Sequence, residues 1–236
     1  MRKALVTGST KGIGLAISRL LVEHGYFVYV NYAHDDAAVS SLGLDAARHR
    51  LIKADLSGKP GADLLTDVIL SEGVRLDCLV LNAGATCRKL FGQISCDDWN
   101  YVMNMNVNMP FYIIQKLRDA IADHGSVLFV GSGMGVHPHA TSLPYGVSKA
   151  AAHMLARCLV KEMAERRIRV NVVAPGFIDT DWQQNKPQWL RERIEGKTAL
   201  ARFGTSEEIA IMCHALIENT YVNGAVLSVD GGYDYI

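Results

Sequence analysis

The chain lacks a long apolar run near its start: only Ala4-Leu5-Val6 precedes the first glycine-rich stretch. An export segment needs a sustained apolar core of roughly 7–15 residues, so the expectation is a protein that stays in the cytoplasm. Cys-x-x-Cys is also missing. The five cysteines, Cys78, Cys87, Cys96, Cys158 and Cys213, are scattered singly along 236 residues. That spacing argues against zinc ligation and a disulfide framework, and predicts free, buried thiols. Nor is there an excess of either charge, since 24 Lys+Arg balance 24 Asp+Glu. Without such an excess the chain offers no electrostatic footprint to nucleic acid or to an anionic membrane. His137-Pro138-His139 is a histidine pair with no further ligand cluster, so it reads as structural and no metal is expected.

What is present is a strongly apolar sequence, 49% hydrophobic, long enough for one α/β domain with both faces of a sheet covered. Short apolar, β-branched runs at 3–6, 27–31, 50–53, 78–81, 127–130, 169–173 and 225–229 read as strands. Amphipathic helices fill the gaps. The clearest are 14–24, 97–122 with a kink at Pro110, 145–166, and 206–217 opened by a Ser206 cap with Glu207 and Glu208 in its first turn. This alternation predicts a single doubly wound domain with a seven-stranded parallel sheet. Ligands collect at the carboxyl ends of such strands, where Gly8, Asn82, Ser132 and Pro175 fall.

The first strand runs into Thr7-Gly8-Ser9-Thr10-Lys11-Gly12-Ile13-Gly14 and then a helix. Glycines let the backbone turn tightly and approach a pyrophosphate, while the helix start aims free amides and its positive dipole end at that anion. A nucleoside-triphosphatase loop would need Lys and then Ser or Thr after its last glycine, but Ile13 follows Gly12 and Leu15 follows Gly14. The tighter Gly-x-Gly-x-x-Gly is absent as well, since three residues separate Gly8 from Gly12. A dinucleotide suits this turn; an unliganded glycine turn is the alternative.

Tyr145 and Lys149 stand four positions apart on one predicted helix face, with Ser132 upstream in Val130-Gly131-Ser132-Gly133-Met134-Gly135. Tyrosine titrates near pKa ~10, and bringing it to neutral pH takes about three units, on the order of 4 kcal/mol of phenolate stabilisation. A close cation in a water-poor cleft can supply that. Ser132 could then hold the oxygen that Tyr145 protonates. Taken alone, Tyr-x-x-x-Lys is also an ordinary helix surface pair.

Together these residues resemble the short-chain dehydrogenase/reductase family, whose first turn has the spacing Thr-Gly-x-x-x-Gly-x-Gly. Asn82-Ala83-Gly84 is similar to the family's Asn-Ala-Gly motif, although Leu81 stands where the family often has a further asparagine. Asn106 falls at the family's catalytic asparagine, and Ser132, Tyr145 and Lys149 at its serine, tyrosine and lysine. Pro175-Gly176 with Ile178 and Thr180 resembles the segment that closes over the nicotinamide, and Val229-Asp230-Gly231-Gly232 the carboxyl-terminal strand end. These motifs span essentially the whole chain.

The resemblance implies an NAD(P)-dependent enzyme that reduces a ketone, or runs the reverse. Tyr145 would be the proton donor, Ser132 would steady the oxygen, Lys149 would bind the nicotinamide ribose and acidify the phenol, and Asn106 would refill the proton through water. For Asn106 a helix-kink residue satisfied by backbone is the alternative. The end of the second strand, Asn31-Tyr32-Ala33-His34, has no carboxylate before Asp35. Lys11 supplies a cation for a 2′-phosphate unless it is a solvated turn residue, so NADPH is the expected cofactor over NADH. Asp55, followed by Leu56, matches the position that contacts adenine, or else caps the next segment.

Among family members the chain most resembles 3-oxoacyl-[acyl-carrier-protein] reductases, through Asn31-Tyr32-Ala33, Arg202-Phe203-Gly204-Thr205 and Glu207-Glu208-Ile209-Ala210. Those enzymes dock an acidic carrier protein on arginines; Arg166 matches one, but Asp123 stands where the other is expected. A reductase or dehydrogenase of a sugar, steroid or small carbonyl compound is the alternative, and a non-catalytic dinucleotide sensor a further one. Residues 177–203, with Trp182 and Trp189, are expected to cover the substrate as a lid, its aromatics lining the pocket or forming a small core of their own. The resemblance also implies a homotetramer built on helices 97–122 and 145–166, whose Val102, Met105, Met109, Ile113, Met154 and Cys158 occupy more than one face.

Overall fold

The computed structural model describes residues 1–138, 142–233 and 235. Seven strands, β1 Lys3–Val6, β2 Phe27–Tyr32, β3 His49–Lys53, β4 Leu76–Leu81, β5 Ile121–Val130, β6 Arg169–Pro175 and β7 Val226–Val229, form one sheet. Every neighbouring pair is parallel, in the order β3-β2-β1-β4-β5-β6-β7. The order reverses between β1 and β4, and such a switch point opens a crevice at the carboxyl ends of the strands. The helices are α1 Gly12–Glu23, α2 Asp36–Val39, α3 Lys59–Ser71, α4 Cys96–Met103, α5 Met109–Leu117, α6 Leu143–Glu162, α7 Asp181–Gln184, α8 Gln188–Glu195 and α9 Ser206–Glu218.

Alternation along buried strands builds two cores. Leu5 of β1 packs with Ile69, Ile113 and Leu117 on the face covered by α3 and α5, whereas its neighbours Ala4 and Val6 pack with Ile17, Leu21 and Leu216 under α1 and α9. Each fully buried Leu or Ile stabilises the fold by roughly 1.5–3 kcal/mol relative to exposure.

The predicted helix 97–122 is not continuous. α4 gives way to a π-helical turn, Asn104–Asn108, before α5 begins. The cause is Pro110 in the first turn of α5: it has no N–H to give to the carbonyl four residues back, so the ladder widens ahead of it rather than bending at it. At its other end α5 stops at Leu117 and a 3₁₀ turn, Arg118–Ala120, leads into β5, which pairs Ile121 with Leu76 and bulges near His124 (φ 64°). The last helix is capped by Thr205 and not Ser206: Thr205 Oγ1 accepts from the Glu208 N–H at 3.2 Å while the Glu208 carboxylate accepts from the Thr205 N–H at 2.8 Å. α6 starts two residues early, at Leu143, because Pro144 suits a first helical turn.

All five cysteines are free, but only Cys78, Cys87 and Cys213 are buried; Cys96 and Cys158 are exposed. His139 lies outside the described residues. Among the described residues no helix is long and apolar enough to cross a membrane.

Candidate active site

The glycine turn and the Asn82–Ala85 turn interlock at the switch point. Thr7 Oγ1 accepts from the N–H groups of Asn82 and Ala83, both at 3.0 Å, and Asn82 Nδ2 donates to the carbonyls of Thr7 (3.0 Å) and Gly8 (2.8 Å). Such close approach leaves no room for side chains. A Cβ on Gly14 would lie 2.4 Å from the Gly8 carbonyl oxygen and 2.5 Å from Asn82 Nδ2, and Gly8 itself has φ 60°. The buried Asn31 completes the frame, its Oδ1 accepting from the Gly8 N–H (3.2 Å) and its Nδ2 donating to the Ala54 carbonyl (3.0 Å).

Above this frame lies a cleft of about 430 Å³, within the usual range for small-molecule and cofactor sites. Gly8, Thr10, Lys11, Gly12, Ile13, Asn31, Tyr32, Asp55, Leu56, Asn82, Ala83 and Gly84 line one part; Ser132, Tyr145, Lys149, Pro175, Gly176, Ile178 and Thr180 line the rest. Three residues expected in the site do not line the cleft. Ser9 turns its hydroxyl inward to the Val6 carbonyl (2.7 Å), Gly14 is packed beneath Gly8, and Asn106 is buried behind the Asn82–Ala85 turn.

Asn106 sits in the π turn. Its Oδ1 accepts from the Ala85 N–H (2.9 Å), and its Nδ2 donates to the Ala85 carbonyl (2.9 Å) and to Ser148 Oγ (2.8 Å). Both amide hydrogens are therefore engaged, and the side chain fastens the Asn82–Ala85 turn to α6. Ser148 Oγ in turn donates to the Tyr145 carbonyl (2.7 Å).

Tyr145 and Lys149 share a face of α6, and the Lys149 ammonium lies 5.5 Å from the centre of the Tyr145 ring. Its hydrogen bond goes to the Val130 carbonyl (2.7 Å). Burial pushes the Tyr145 phenol up to about 12, opposed by a hydrogen bond with Ser132 and by the charge of Arg88. Burial likewise holds Lys149 down at about 8. Burial dominates the Tyr145 pKa here, whereas acidification by Lys149 was the expectation. Desolvation penalises both charged forms, and the ammonium is directed at a backbone carbonyl.

Sequence reading missed several neighbours. His153, one turn beyond Lys149, accepts from the Ser132 N–H through Nε2 (3.4 Å). Burial and the charges of Lys149 and Arg157 hold it down at about 4, so it is neutral at pH 7. Gly131 makes that contact possible, since a Cβ there would meet His153 Nε2 at 2.2 Å. The run Tyr145, Lys149, His153 at i, i+4 and i+8 was the available signal. Gln183 and Trp182, from the 177–203 segment, also border the cleft. Gln183 Oε1 is buried there without a hydrogen-bond partner among the described residues. Trp182 meets Tyr145 edge-on, ring centres 6.1 Å apart, whereas Trp189 stays exposed and Phe177 packs on Phe203 and Tyr233. Trp182 is thus at the cleft, and Trp189 is not.

Where the glycine turn meets the residues after β2, Lys11 is not free. Its ammonium lies 3.7 Å from each of Asp35 and Asp181. Asp35 caps α2 and lines the cleft, as does His34, which pairs with Asp55 at 3.2 Å. Asp55 also accepts from the Ser57 N–H (2.9 Å), so it caps its turn while facing the cleft.

Comparison with known proteins agrees with this geometry. A family model described as enoyl-(acyl carrier protein) reductase matches residues 8–234. The 3-oxoacyl-[acyl-carrier-protein] reductase FabG of Thermotoga maritima is 32% identical over 246 residues, 97% of this chain and 96% of the relative. A solved short-chain dehydrogenase/reductase from Serratia marcescens superposes with a TM-score of 0.92 at 28% identity, over 99% of this chain and 98% of the other. The Pseudomonas aeruginosa RhlG/NADP active-site complex gives 0.88 at 33% identity, over 99% and 96%. With its parallel sheet, interlocked glycine turn and Ser132–Tyr145–Lys149 wall, the chain belongs to the short-chain dehydrogenase/reductase family of NAD(P)-dependent oxidoreductases.

Proposed function

We propose that this protein reduces a ketone to a secondary alcohol, with NADPH preferred over NADH and a 3-oxoacyl compound of the acyl-carrier type as its substrate class. The observation that carries the chemistry is that Ser132 and Tyr145 both line the cleft, with Lys149 buried beside the Tyr145 ring. A phenol held near 12 is fully protonated at neutral pH, which suits a proton donor. Tyr145 gives that proton to the carbonyl oxygen as it becomes an alkoxide, Ser132 holds the same oxygen, and neutral His153 keeps the Ser132 backbone in place. Lys149 and Thr180 would hold the nicotinamide end, and the amides after Gly12 would face the pyrophosphate. When bound, the dinucleotide supplies the hydride. Asn106 acts as a positioning residue.

NADPH is favoured by Lys11 in the glycine turn, by His34 just past β2, and by Asn31 and Tyr32 standing where an NAD-selective carboxylate would be. RhlG, similar over nearly the whole chain, was solved with NADP. Asp35 weighs the other way, its carboxylate partly offset by Lys11 at 3.7 Å. The acyl-carrier assignment rests on relatives such as the Thermotoga FabG. Arg166, expected to dock a carrier protein, instead pairs with Asp123 at 2.8 Å and donates to the Arg118 and Ile121 carbonyls, so it is not available as a docking cation.

A homotetramer joined through α4, α5 and α6 is part of the same reading. Val102, Met109 and Ile113 fill the molecule's own core, but Tyr101, Phe111, Tyr112, Val147 and Met154 stay exposed on those helices. Following NADPH and NADH consumption with 3-oxoacyl substrates, free and carrier-linked, tests the proposal. Turnover with NADPH at several times the NADH efficiency supports it; no consumption with any ketone defeats it.

A further inference from the structure

Much of the molecule's uncovered apolar surface lies away from the cleft: Leu90, Phe91, Trp189 and Leu200 are all exposed, and none of them lines it. Trp182 is different. Among the described residues it is the one large, exposed apolar side chain that lines the cleft, with 42% of its surface open. An indole left uncovered in a concave site carries a hydration cost that a ligand of matching shape removes.

The residue is placed although it is not buried. Its backbone carbonyl accepts from Arg88 Nη2 at 3.1 Å, the neighbouring Asp181 meets Lys11 at 3.7 Å, and the Gln183 N–H bonds back to the Thr180 carbonyl at 2.8 Å. α7 is thereby tied to the glycine turn through Lys11 and to the chain beyond the Asn82–Ala85 turn through Arg88. The indole meets the Tyr145 ring, with centres 6.1 Å apart and planes at 63°. Two aromatic rings thus form a corner on the wall that carries Tyr145, where Pro175 and Ile178 are aliphatic. A flat conjugated group gains more in such a corner than a saturated one, because aromatic faces and edges attract through their quadrupoles as well as covering area.

We propose that Trp182 selects the substrate, favouring a 3-oxoacyl compound whose ketone carbon bears a flat, conjugated group such as an aryl ring over one bearing a saturated group of the same size. This rests on Tyr145 acting at that ketone. With the carbonyl oxygen at the Tyr145 hydroxyl, the substituent on the ketone carbon lies beside the two rings. Trp182 takes no part in proton transfer; it acts on which ketone is held.

The test uses the full chain with NADPH and a matched pair, ethyl 3-oxo-3-phenylpropanoate and ethyl 3-cyclohexyl-3-oxopropanoate. Comparing each ketone between wild type and variant cancels its intrinsic reactivity. Trp182→Leu should lower kcat/KM about tenfold for the phenyl compound and about threefold for the cyclohexyl one, chiefly through KM, while Trp182→Phe keeps most of the phenyl rate. Equal losses for the two ketones, or no loss for the phenyl one, would overturn the proposal and leave Trp182 as a cover for Tyr145. Binding is also read without turnover, by calorimetric titration of the NADPH-loaded protein with ethyl 3-hydroxy-3-phenylpropanoate, an alcohol that NADPH cannot reduce. A Kd that weakens about tenfold in Trp182→Leu but not in Trp182→Phe supports the site even if no ketone is turned over. A Kd unchanged in Trp182→Leu refutes it even if ketones are.

Discussion

The floor of the cleft and the 177–203 segment that borders it are held in different ways. In the floor, buried or half-buried polar side chains spend their hydrogen bonds on the backbone of another segment: Asn82 on the glycine turn, Asn31 on β3, Asn106 on Ala85. The 177–203 segment buries little of α7 or α8, Ile194 being the one buried residue of α8 and none being buried in α7. Ile178 is buried in the core, but the segment's side-chain ties at Lys11 to Asp181, Arg191 to Asp179 and Arg88 to the Trp182 carbonyl run through exposed groups. Buried, satisfied hydrogen bonds are costly to break, whereas exposed ion pairs contribute about 0–1 kcal/mol. The floor therefore fixes geometry, whereas α7 and α8 are held more weakly.

If that contrast is right, damage to the floor should be severe and damage to the segment slight. Tyr145→Phe removes the proton that the floor presents, and should lower ketone turnover by roughly 10²–10⁴-fold. Dinucleotide affinity, measured by fluorescence titration, should stay within about twofold because the ring is kept. A variant that retains a tenth of the activity would take Tyr145 out of the chemistry.

Gly14→Ala forces a methyl group to within 2.4 Å of the Gly8 carbonyl. Loss of about 1–3 kcal/mol in thermal or urea unfolding is expected, together with weakened dinucleotide binding. Unchanged stability would mean that the two turns are not as tightly locked as their hydrogen bonds imply.

His153 supplies a pH test of the floor. Its pKa is held down at about 4, against about 6.5 unfolded, so the folded state resists protonation. The stability this contributes is complete above pH ~6.5 and is lost as pH falls from there toward 4, because the unfolded chain takes up the proton first. His153→Gln keeps an acceptor for the Ser132 N–H without titrating. It should flatten that part of the stability curve measured by denaturant unfolding between pH 7 and 4.

The smallest effect is expected for Asp181→Asn. Its pair with Lys11 joins the segment to the glycine turn between side chains that are each more than half exposed. Stability should change by less than about 1 kcal/mol. A drop as large as that of Gly14→Ala would erase the distinction between floor and segment.

How far the molecule could be read from its sequence follows the same division. The seven strands were legible because each alternates apolar residues into two cores, as Leu5 against Ala4 and Val6 does. The glycine turn, Asn82–Gly84 and the Tyr145–Lys149 pair were legible because sterics and helix periodicity are local. The break in helix 97–122 was placed at Pro110, while the ladder in fact widens at Asn104–Asn108, since a missing N–H is felt by the carbonyl before it.

By itself the sequence determined the order of strands and helices, the glycines on which the turn depends, and which side chains of α6 share a face, because neighbours along the chain decide backbone sterics and periodicity. Only the tertiary structure decided where each charge and amide is satisfied. Lys11 meets Asp35 and Asp181, Arg166 meets Asp123, Asn106 meets Ala85, and the Lys149 ammonium meets the Val130 carbonyl. Each such pairing joins residues distant in the chain, and desolvation, which sets the proton affinities of Tyr145, Lys149 and His153, exists only once the cleft has closed around them.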